Sequence, residues 1–387
     1  MKPRCAAISR RRTLFPIVPP SWRGNFRLNN EFAGRRKLVE TGLVDRKIDA
    51  LLVSSPANVR YLAGFTGSNG ALLILPGGAI FFTDPRYAIQ AGREVSCQTM
   101  VVKGPLLPAV AAVVTQRRIR RLGFERGHLS YDGFDTLRAR LPVNTSLEPV
   151  AGWLEGVRMV KSEGELALIE SSVATNSKAF EQAVRRIRSA VREQDLAAEI
   201  EYRMKRRGAQ GPAFDTIVAS GPRGAWPHAR ASSRRLRRDE LVILDLGAIL
   251  AGYAADMTRT VYLGVPTRRA RELYESVAEA QRQTVHRLRA GMSGDEVDTV
   301  ARQSLASRKL ADYFTHSTGH GVGLDVHERP RLGRGEKALM PAGSVVTVEP
   351  GVYLEGYGGV RIEDTVLVSE HEPEILTPAP RESWFTG

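Results

Sequence analysis

The sequence predicts an α+β protein of two domains: a smaller α/β layer on the amino-terminal side, then a larger domain that repeats itself about a pseudo-twofold axis. Short apolar β runs alternate with helical stretches in the first part of the chain, which is the pattern of a layered fold. Further on, two hairpins that each carry a pair of acidic residues recur at offsets of 104 and 107 residues. An Arg-apolar-Arg triplet followed by a helical run recurs at an offset of 101.

Residues 1–30 hold seven Lys or Arg and no acid, and read as a basic, disordered extension. The apolar piece at 14–18 is too short and too broken by proline for a secretory core. An organellar presequence or a misplaced start would look the same. The first domain is expected over 31–158, with β runs at 50–53, 71–75 and 80–83 and a helix at 106–116. With 387 residues, 42% of them hydrophobic, the chain can fill two cores. The junction falls near 158–163, where Ser162 is placed to cap a long helix, and the second domain runs over 159–387. Within it Arg186-Ile187-Arg188 and the helical run from Asp195 are echoed by Arg287-Leu288-Arg289 and the run from Glu296.

The first acidic hairpin joins an apolar run at 241–246 to a Thr- and Val-rich run at 255–262 across small residues. A turn centred between Leu250 and Ala251 pairs Asp245 directly with Asp256 on one face, with Cβ atoms roughly 4.5–5.5 Å apart. The second hairpin joins 345–349 to 360–368, and Glu349 and Glu363 are symmetric about Gly356. Carboxylates that close repel unless a cation lies between them. His320 sits in Ser317-Thr318-Gly319-His320-Gly321-Val322-Gly323, whose glycines let backbone approach a bound ion or substrate. Asp245, Asp256, His320, Glu349 and Glu363 therefore form a candidate donor set of four carboxylates and one imidazole. Two divalent ions would balance those four negative charges. Oxygen-rich donors with one His and no thiolate favour Mn(II), with Co(II), Zn(II) or Fe(II) as alternatives. A pair of ions about 3.5–4 Å apart generates a nucleophilic bridging hydroxide and polarises a carbonyl.

These five residues match, one by one, the ligand pattern of the pita-bread metallopeptidases, the group holding methionine aminopeptidase, aminopeptidase P and prolidase. The stretch from His316 through His320 to His327-Glu328 resembles the signature of the proline-specific branch, as do Phe214-Asp215-Thr216-Ile217-Val218-Ala219-Ser220-Gly221-Pro222 and Pro227-His228-Ala229. Asn58-Val59-Arg60-Tyr61-Leu62-Ala63-Gly64-Phe65-Thr66-Gly67-Ser68-Asn69-Gly70 and Thr83-Asp84-Pro85-Arg86-Tyr87 resemble the small creatinase-type domain that precedes the catalytic domain of aminopeptidase P, prolidase and creatinase. The resemblance runs from about Arg35 to the carboxyl terminus.

It implies a metal-dependent exopeptidase that hydrolyses the Xaa-Pro bond at the N-terminus of peptides or in dipeptides through a metal-bridging hydroxide. Glu349 would bind metal and shuttle the proton, His228 and His327 would steady the oxyanion and the leaving group, and His316 would belong to the substrate pocket. Arg361, two residues before Glu363, would orient a substrate carbonyl or a carboxylate. Plainer readings pair His327 with Glu328, and Arg361 with Glu349 or Asp256. Trp226 stands where relatives often carry a smaller aliphatic residue. The alternatives are an inactive pita-bread binding module and a creatinase-like amidinohydrolase, and the intact donor set argues against both.

The net charge of +14 invites a nucleic-acid reading. Half of it lies in residues 1–30, and arginine outnumbers lysine 47 to 9, a bias that base composition can produce. The run Arg234-Arg235-Leu236-Arg237-Arg238 is expected to be solvated surface, so no nucleic-acid partner is expected. Nor is a membrane, since no stretch approaches the ~20 apolar residues of a span. Cys5 and Cys97 form no Cys-x-x-Cys pair, and a reducing cytoplasm is the default. The expected partners are proline-containing peptides and further copies of the chain, as a homodimer or higher oligomer.

Overall fold

The computed structural model describes residues 25–380, so most of the basic extension lies outside the described residues. The chain forms two compact units divided between Pro149 and Val150.

The first unit comprises α1 (Asn25–Asp45), β1 (Ala50–Val53), α2 (Pro56–Ala63), β2 (Gly70–Leu75), β3 (Gly78–Thr83), α3 (Ala88–Glu94), β4 (Gln98–Val101), α4 (Leu106–Gln116), β5 (Arg121–Glu125), α5 (Tyr131–Arg140) and β6 (Ser146–Val150). Its strands form one mixed sheet in the order β4-β3-β2-β1-β5-β6. All four residues of β1 are buried, as expected of a strand covered on both faces. Leu52, Leu73, Ile80 and Phe82 share a core with Val110, Val114 and Leu137 of α4 and α5. Ser55 accepts a hydrogen bond from the Asn58 N–H to start α2, and Gly64, at φ 76°, ends it.

The second unit opens with α6 (Trp153–Val157), α7 (Glu163–Val184) and α8 (Glu193–Arg206). Ser162 and Glu165 make a capping box at the start of α7, the place the sequence gives to its cap. Then follow β7 (Gly211–Pro212), β8 (Ile217–Ser220), β9 (Glu240–Leu246), β10 (Ala248–Leu250), β11 (Tyr253–Ala254), β12 (Met257–Leu263), α9 (Arg268–Arg287) and α10 (Gly294–Ala306). The last part holds β13 (Gly319–Gly321), β14 (Glu328–Leu332), β15 (Val345–Val348), β16 (Gly351–Leu354), β17 (Gly358–Arg361), β18 (Asp364–Leu367) and β19 (Glu374–Ile375).

The internal repeat is visible as topology. Two helices lead into three strands ordered β8-β9-β12 in the first half, and into β13-β15-β18, the middle of a five-stranded sheet flanked by β14 and β19, in the second. Both halves bury their helices by apolar positions three and four apart, as in Ala270, Leu273, Tyr274, Val277 and Ala280 of α9.

The two hairpins differ in how they meet expectation. In the second, Val348 pairs with Asp364 and Gly351 with Arg361, which keeps Glu349 and Glu363 symmetric about Gly356. In the first, Asp245 faces Thr258 rather than Asp256. The turn is centred between Ala251 and Gly252, both at positive φ (47° and 80°), the backbone a tight two-residue hairpin requires. Glycine takes the second left-handed position, which moves the register by two residues. A two-residue shift preserves the face, so Asp245 and Asp256 become diagonal neighbours on the same side.

Candidate metal centre

β9 delivers Asp245, the residue before β12 is Asp256, the residue after β15 is Glu349, and the residue before β18 is Glu363. Each repeat thus contributes one carboxylate at the end of its central strand and one at the start of the next. The repeats meet along β12, where Thr258 Oγ1 donates to Glu363 Oε2 at 2.7 Å while Thr365 Oγ1 donates to the Asp256 carbonyl at 2.8 Å. Thr258 and Thr365 are themselves related by the repeat, each two residues after an acid. That Asp-x-Thr and Glu-x-Thr pairing is a sequence signal that would have found both threonines.

Oxygens of Asp245, Asp256 and Glu363 lie within 4.8 Å of one another, and so do the donor atoms of His320, Glu349 and Glu363. Glu363 belongs to both groups. A third set joins Asp256 and His320 to His327. His320 is carried on β13, where Gly319 lets the chain run against β15: a Cβ there would lie 2.0 Å from the Thr347 carbonyl oxygen. The His320 Nδ1–H points to the Gly321 carbonyl at 3.1 Å, which turns the Nε2 lone pair toward Glu349 Oε1 (3.4 Å) and Asp256 Oδ2 (3.7 Å). Burial, then the neighbouring His327 imidazole, hold its pKa down to about 4, so the ring is neutral and free to donate a lone pair.

The carboxylates are pushed the other way. Burial raises Glu349 to about 8, and burial together with neighbouring carboxylates puts Asp256 and Glu363 well above their usual range. Asp245 is reached by Arg361, Nη2 to Oδ2 at 2.6 Å.

Arg361 is only 2% exposed and does not pair with Glu349 or Asp256. Its Nε donates to Thr258 Oγ1 at 3.0 Å, and its Nη1 donates to the Pro227 carbonyl at 3.1 Å and to the Tyr353 hydroxyl at 2.7 Å. Tyr353 then lies 2.7 Å from His316 Nε2, and His316 Nδ1 lies 2.8 Å from the Ser317 carbonyl. Since a carbonyl only accepts, Nδ1 carries the His316 proton and Tyr353 donates to Nε2. Burial, then the Arg361 charge, holds the His316 pKa down to about 3, and burial raises Tyr353 to about 12 against the opposing pull of Arg361, so both stay neutral. Sequence reasoning missed Tyr353: nothing marks it except its hairpin position opposite Gly359.

His228 and His327 are both exposed in the same cavity, of about 640 Å³, lined also by Phe214, Ile217 and Arg331. The His327 ring meets His320 edge-on with centroids 4.2 Å apart, and burial, then His228, lower its pKa. Glu328 is not the partner of His327; its carboxylate is held by Arg158 and Lys161. The loop bearing His228 is pinned at both ends by the buried carboxylate of Glu193, which accepts from Ser220 Oγ at 2.8 Å and Ser232 Oγ at 2.6 Å. Trp226, 58% exposed under the Arg223 guanidinium, is not among the residues lining the cavity. Of the arginine run, Arg234 is not free surface: its guanidinium holds Glu240 at 2.5 Å.

The profile of metallopeptidase family M24 matches residues 167–370, more than half of the chain. The chain belongs to metallopeptidase family M24. The Creatinase/Prolidase N-terminal domain matches residues 35–160. An Xaa-Pro dipeptidase of Pyrococcus furiosus is 37% identical over 87% of this chain and 96% of its own length. Among solved structures, an Xaa-Pro dipeptidase from Bacillus anthracis superposes with a TM-score of 0.89 at 34% identity, covering 92% of this chain and all (100%) of that one. An X-Pro aminopeptidase from Thermotoga maritima gives 0.83 at 36% identity, covering 88% and 98%.

M24 membership brings divalent metal ions to this chemistry. The donor set fits them: Asp245 Oδ1, Asp256 Oδ1 and Glu363 Oε1 are buried without a hydrogen-bond partner. Buried carboxylate oxygens left bare are costly, and a cation among them removes both that cost and the mutual repulsion.

Proposed function

We propose that this M24 protein is a metal-dependent exopeptidase that hydrolyses the Xaa-Pro bond at the N-terminus of peptides or in dipeptides. The observation that carries the reading is the convergence of Asp245, Asp256, His320, Glu349 and Glu363, with three bare carboxylate oxygens, in a cavity walled by His228, His316 and His327. Those five residues would hold two divalent ions, with Mn(II) the best match to hard oxygen donors. Bound there, the ions would supply an activated water and polarise the scissile carbonyl.

Glu349, at the edge of the cluster and open to the cavity, takes the proton of the attacking water and returns it to the leaving imino nitrogen. Neutral His327, and His228 in the same cavity, offer N–H groups to the oxygen that gains charge in the transition state. His316, locked by Tyr353, shapes the wall. Arg361 fixes Asp245 and keeps one Nη2 N–H for a substrate group. Phe214 and Ile217 offer apolar surface to the proline ring. Exposed Arg331, whose Nε donates to Ser317 Oγ at 3.1 Å, leaves its Nη groups to a free α-carboxylate, which favours dipeptides.

We place the enzyme in the cytoplasm as a homodimer or higher oligomer, built from a domain at 31–158 and a catalytic domain at 159–387 behind a basic extension. Among the described residues no helix is long and apolar enough to cross a membrane. With the donor set intact, neither an inactive binding module nor an amidinohydrolase is favoured.

A hydrolysis panel tests the reading: Xaa-Pro dipeptides, Xaa-Pro-Yaa peptides and Xaa-Ala controls, with Mn, Co or Zn restored after chelation. Proline lacks the amide N–H and fixes φ, so a pocket shaped for it discriminates strongly. Xaa-Pro should be preferred over Xaa-Ala by roughly 10²-fold or more in kcat/KM, about 3 kcal/mol. Equal cleavage of Ala-Pro and Ala-Ala by the metal-loaded enzyme would remove the proline assignment.

A further inference from the structure

Behind the metal centre, on the side away from the cavity, lies a second arginine, Arg259 of β12, whose side chain is 1% exposed. A guanidinium has five N–H donors, and here each finds an acceptor. Nη1 donates to the carbonyls of Thr258 (2.9 Å) and Glu363 (2.5 Å and shorter than usual). Nη2 donates to Asp364 Oδ1 at 2.7 Å and to the Ala379 carbonyl at 2.8 Å, while Nε donates to the Pro380 carbonyl at 3.0 Å. Asp364 is completed from its other oxygen by Gln281 at 2.8 Å.

The acceptors come from three places: β12 of the first repeat, the Glu363-Asp364 step of the second, and a segment near the carboxyl terminus. That segment is fixed before it arrives. The Thr365 N–H donates to Thr377 Oγ1 at 2.9 Å, the Leu376 N–H donates to the Thr365 carbonyl at 2.9 Å, and Ala379 packs in the core beside α7 and α8. The repeat gives Arg259 no counterpart, since the equivalent position in the second half is Val366. Of the five candidate ligands, Glu363 is the one whose carbonyl is held by a buried cation among the described residues, and it joins the group of Asp245 and Asp256 to that of His320 and Glu349.

We infer that Arg259 is a positioning residue for the metal centre, and that the carbonyls of Ala379 and Pro380 belong to the same apparatus by holding Arg259 against the Glu363 backbone. Removing them leaves two of five buried donors unpaired, and the guanidinium must turn to satisfy them, releasing Glu363. This inference rests on the reading that the five residues bind metal.

The test is titration of the metal-free full chain with Co(II), followed by visible absorption, for the parent, Arg259→Lys, a chain ending at Pro378 and a chain ending at Pro380. Arg259→Lys keeps the charge beside Asp364 but loses the fork. It and the chain ending at Pro378 should bind Co(II) about 10-fold or more weaker, with an altered absorption envelope at saturation, because Glu363 coordinates differently. The chain ending at Pro380 keeps the Ala379 carbonyl and offers Nε a terminal carboxylate oxygen in place of the Pro380 carbonyl, so every donor keeps an acceptor and it should match the parent within about twofold. A general loss of stability would leave the saturated spectrum unchanged. Parental affinity and spectrum in Arg259→Lys would overturn the inference, and Arg259→Lys decides alone if the chain ending at Pro378 does not fold. A parent that binds no Co(II) would instead overturn the metal-centre reading itself.

Discussion

Thr258 is the side chain on which the two repeats meet: its hydroxyl donates to Glu363 and accepts from Arg361 Nε. Thr258→Val keeps the shape, removes both bonds and leaves two charged groups short of a partner. Outer partners of ligands typically carry 10–100-fold in metal affinity. We expect metal binding to weaken by about 10-fold, read by titration of the metal-free protein, and an unchanged affinity would show that Glu363 needs no such support. Glu349 makes a second residue-scale prediction. Its folded-state pKa, about 8, lies above the ordinary 4.5, so the metal-free fold holds a proton that the unfolded chain has released. The corresponding stability is full below 4.5 and is lost as pH rises toward about 8. Thermal unfolding of metal-free protein should therefore show a falling midpoint across that window, and a saturating divalent ion should abolish the fall. A flat profile without metal would place Glu349 in a wetter site than the one described.

At the scale of the element, the strand carrying His320 and the helix capped by Ser162 invite opposite outcomes. Gly319→Ala drives a methyl into the Thr347 carbonyl, a backbone atom that cannot step aside, so β13 must shift and take His320 with it. Metal binding should be lost or weakened by more than 10-fold, about 1.4 kcal/mol. Ser162→Ala removes a cap at a cost of about 1 kcal/mol and should leave metal affinity at the parental level. Chemical denaturation and metal titration of the two variants separate the effects. Elements of this kind were legible in sequence where the signal is local: Ser162 with Glu165, the run Ala50–Val53, and the helix Leu106–Gln116. The second hairpin could be read because Gly356 marks its centre. The first was offset by two because a non-glycine, Ala251, takes a left-handed position that composition does not announce. Donor residue types announce metal chemistry by themselves. The partner of Arg361 does not show in sequence, since Asp245 lies 116 positions away and the meeting depends on how β17 crosses β9. Arg259 was illegible for a further reason: four of its five acceptors are main-chain carbonyls, which every residue has.

For the molecule as a whole, the candidate metal centre draws its carboxylates from two repeats that also share apolar cores, as where Leu241 and Tyr262 pack with Val352, Val360 and Ile362. A bound ion is therefore a cross-link as well as a reagent. At a hundred times its dissociation constant one ion adds about 2.7 kcal/mol to the folded state, roughly 5–10 °C in the melting temperature of a unit of this size. Scanning calorimetry with and without chelator should show that shift, and a midpoint indifferent to chelation would mean that the donors do not bind the ion tightly. The same placement of donors bears on biosynthesis. Asp245 and Asp256 are made well before Glu349 and Glu363, and no contiguous stretch of the first repeat holds more than half of the carboxylates. A nascent chain emerging from the ribosome can fold its amino-terminal unit and its first hairpin while still unable to capture an ion. With the five residues proposed as ligands, metal loading would wait until the second repeat has been translated and docked, and an incompletely made peptidase would have no means of cutting the peptides around it.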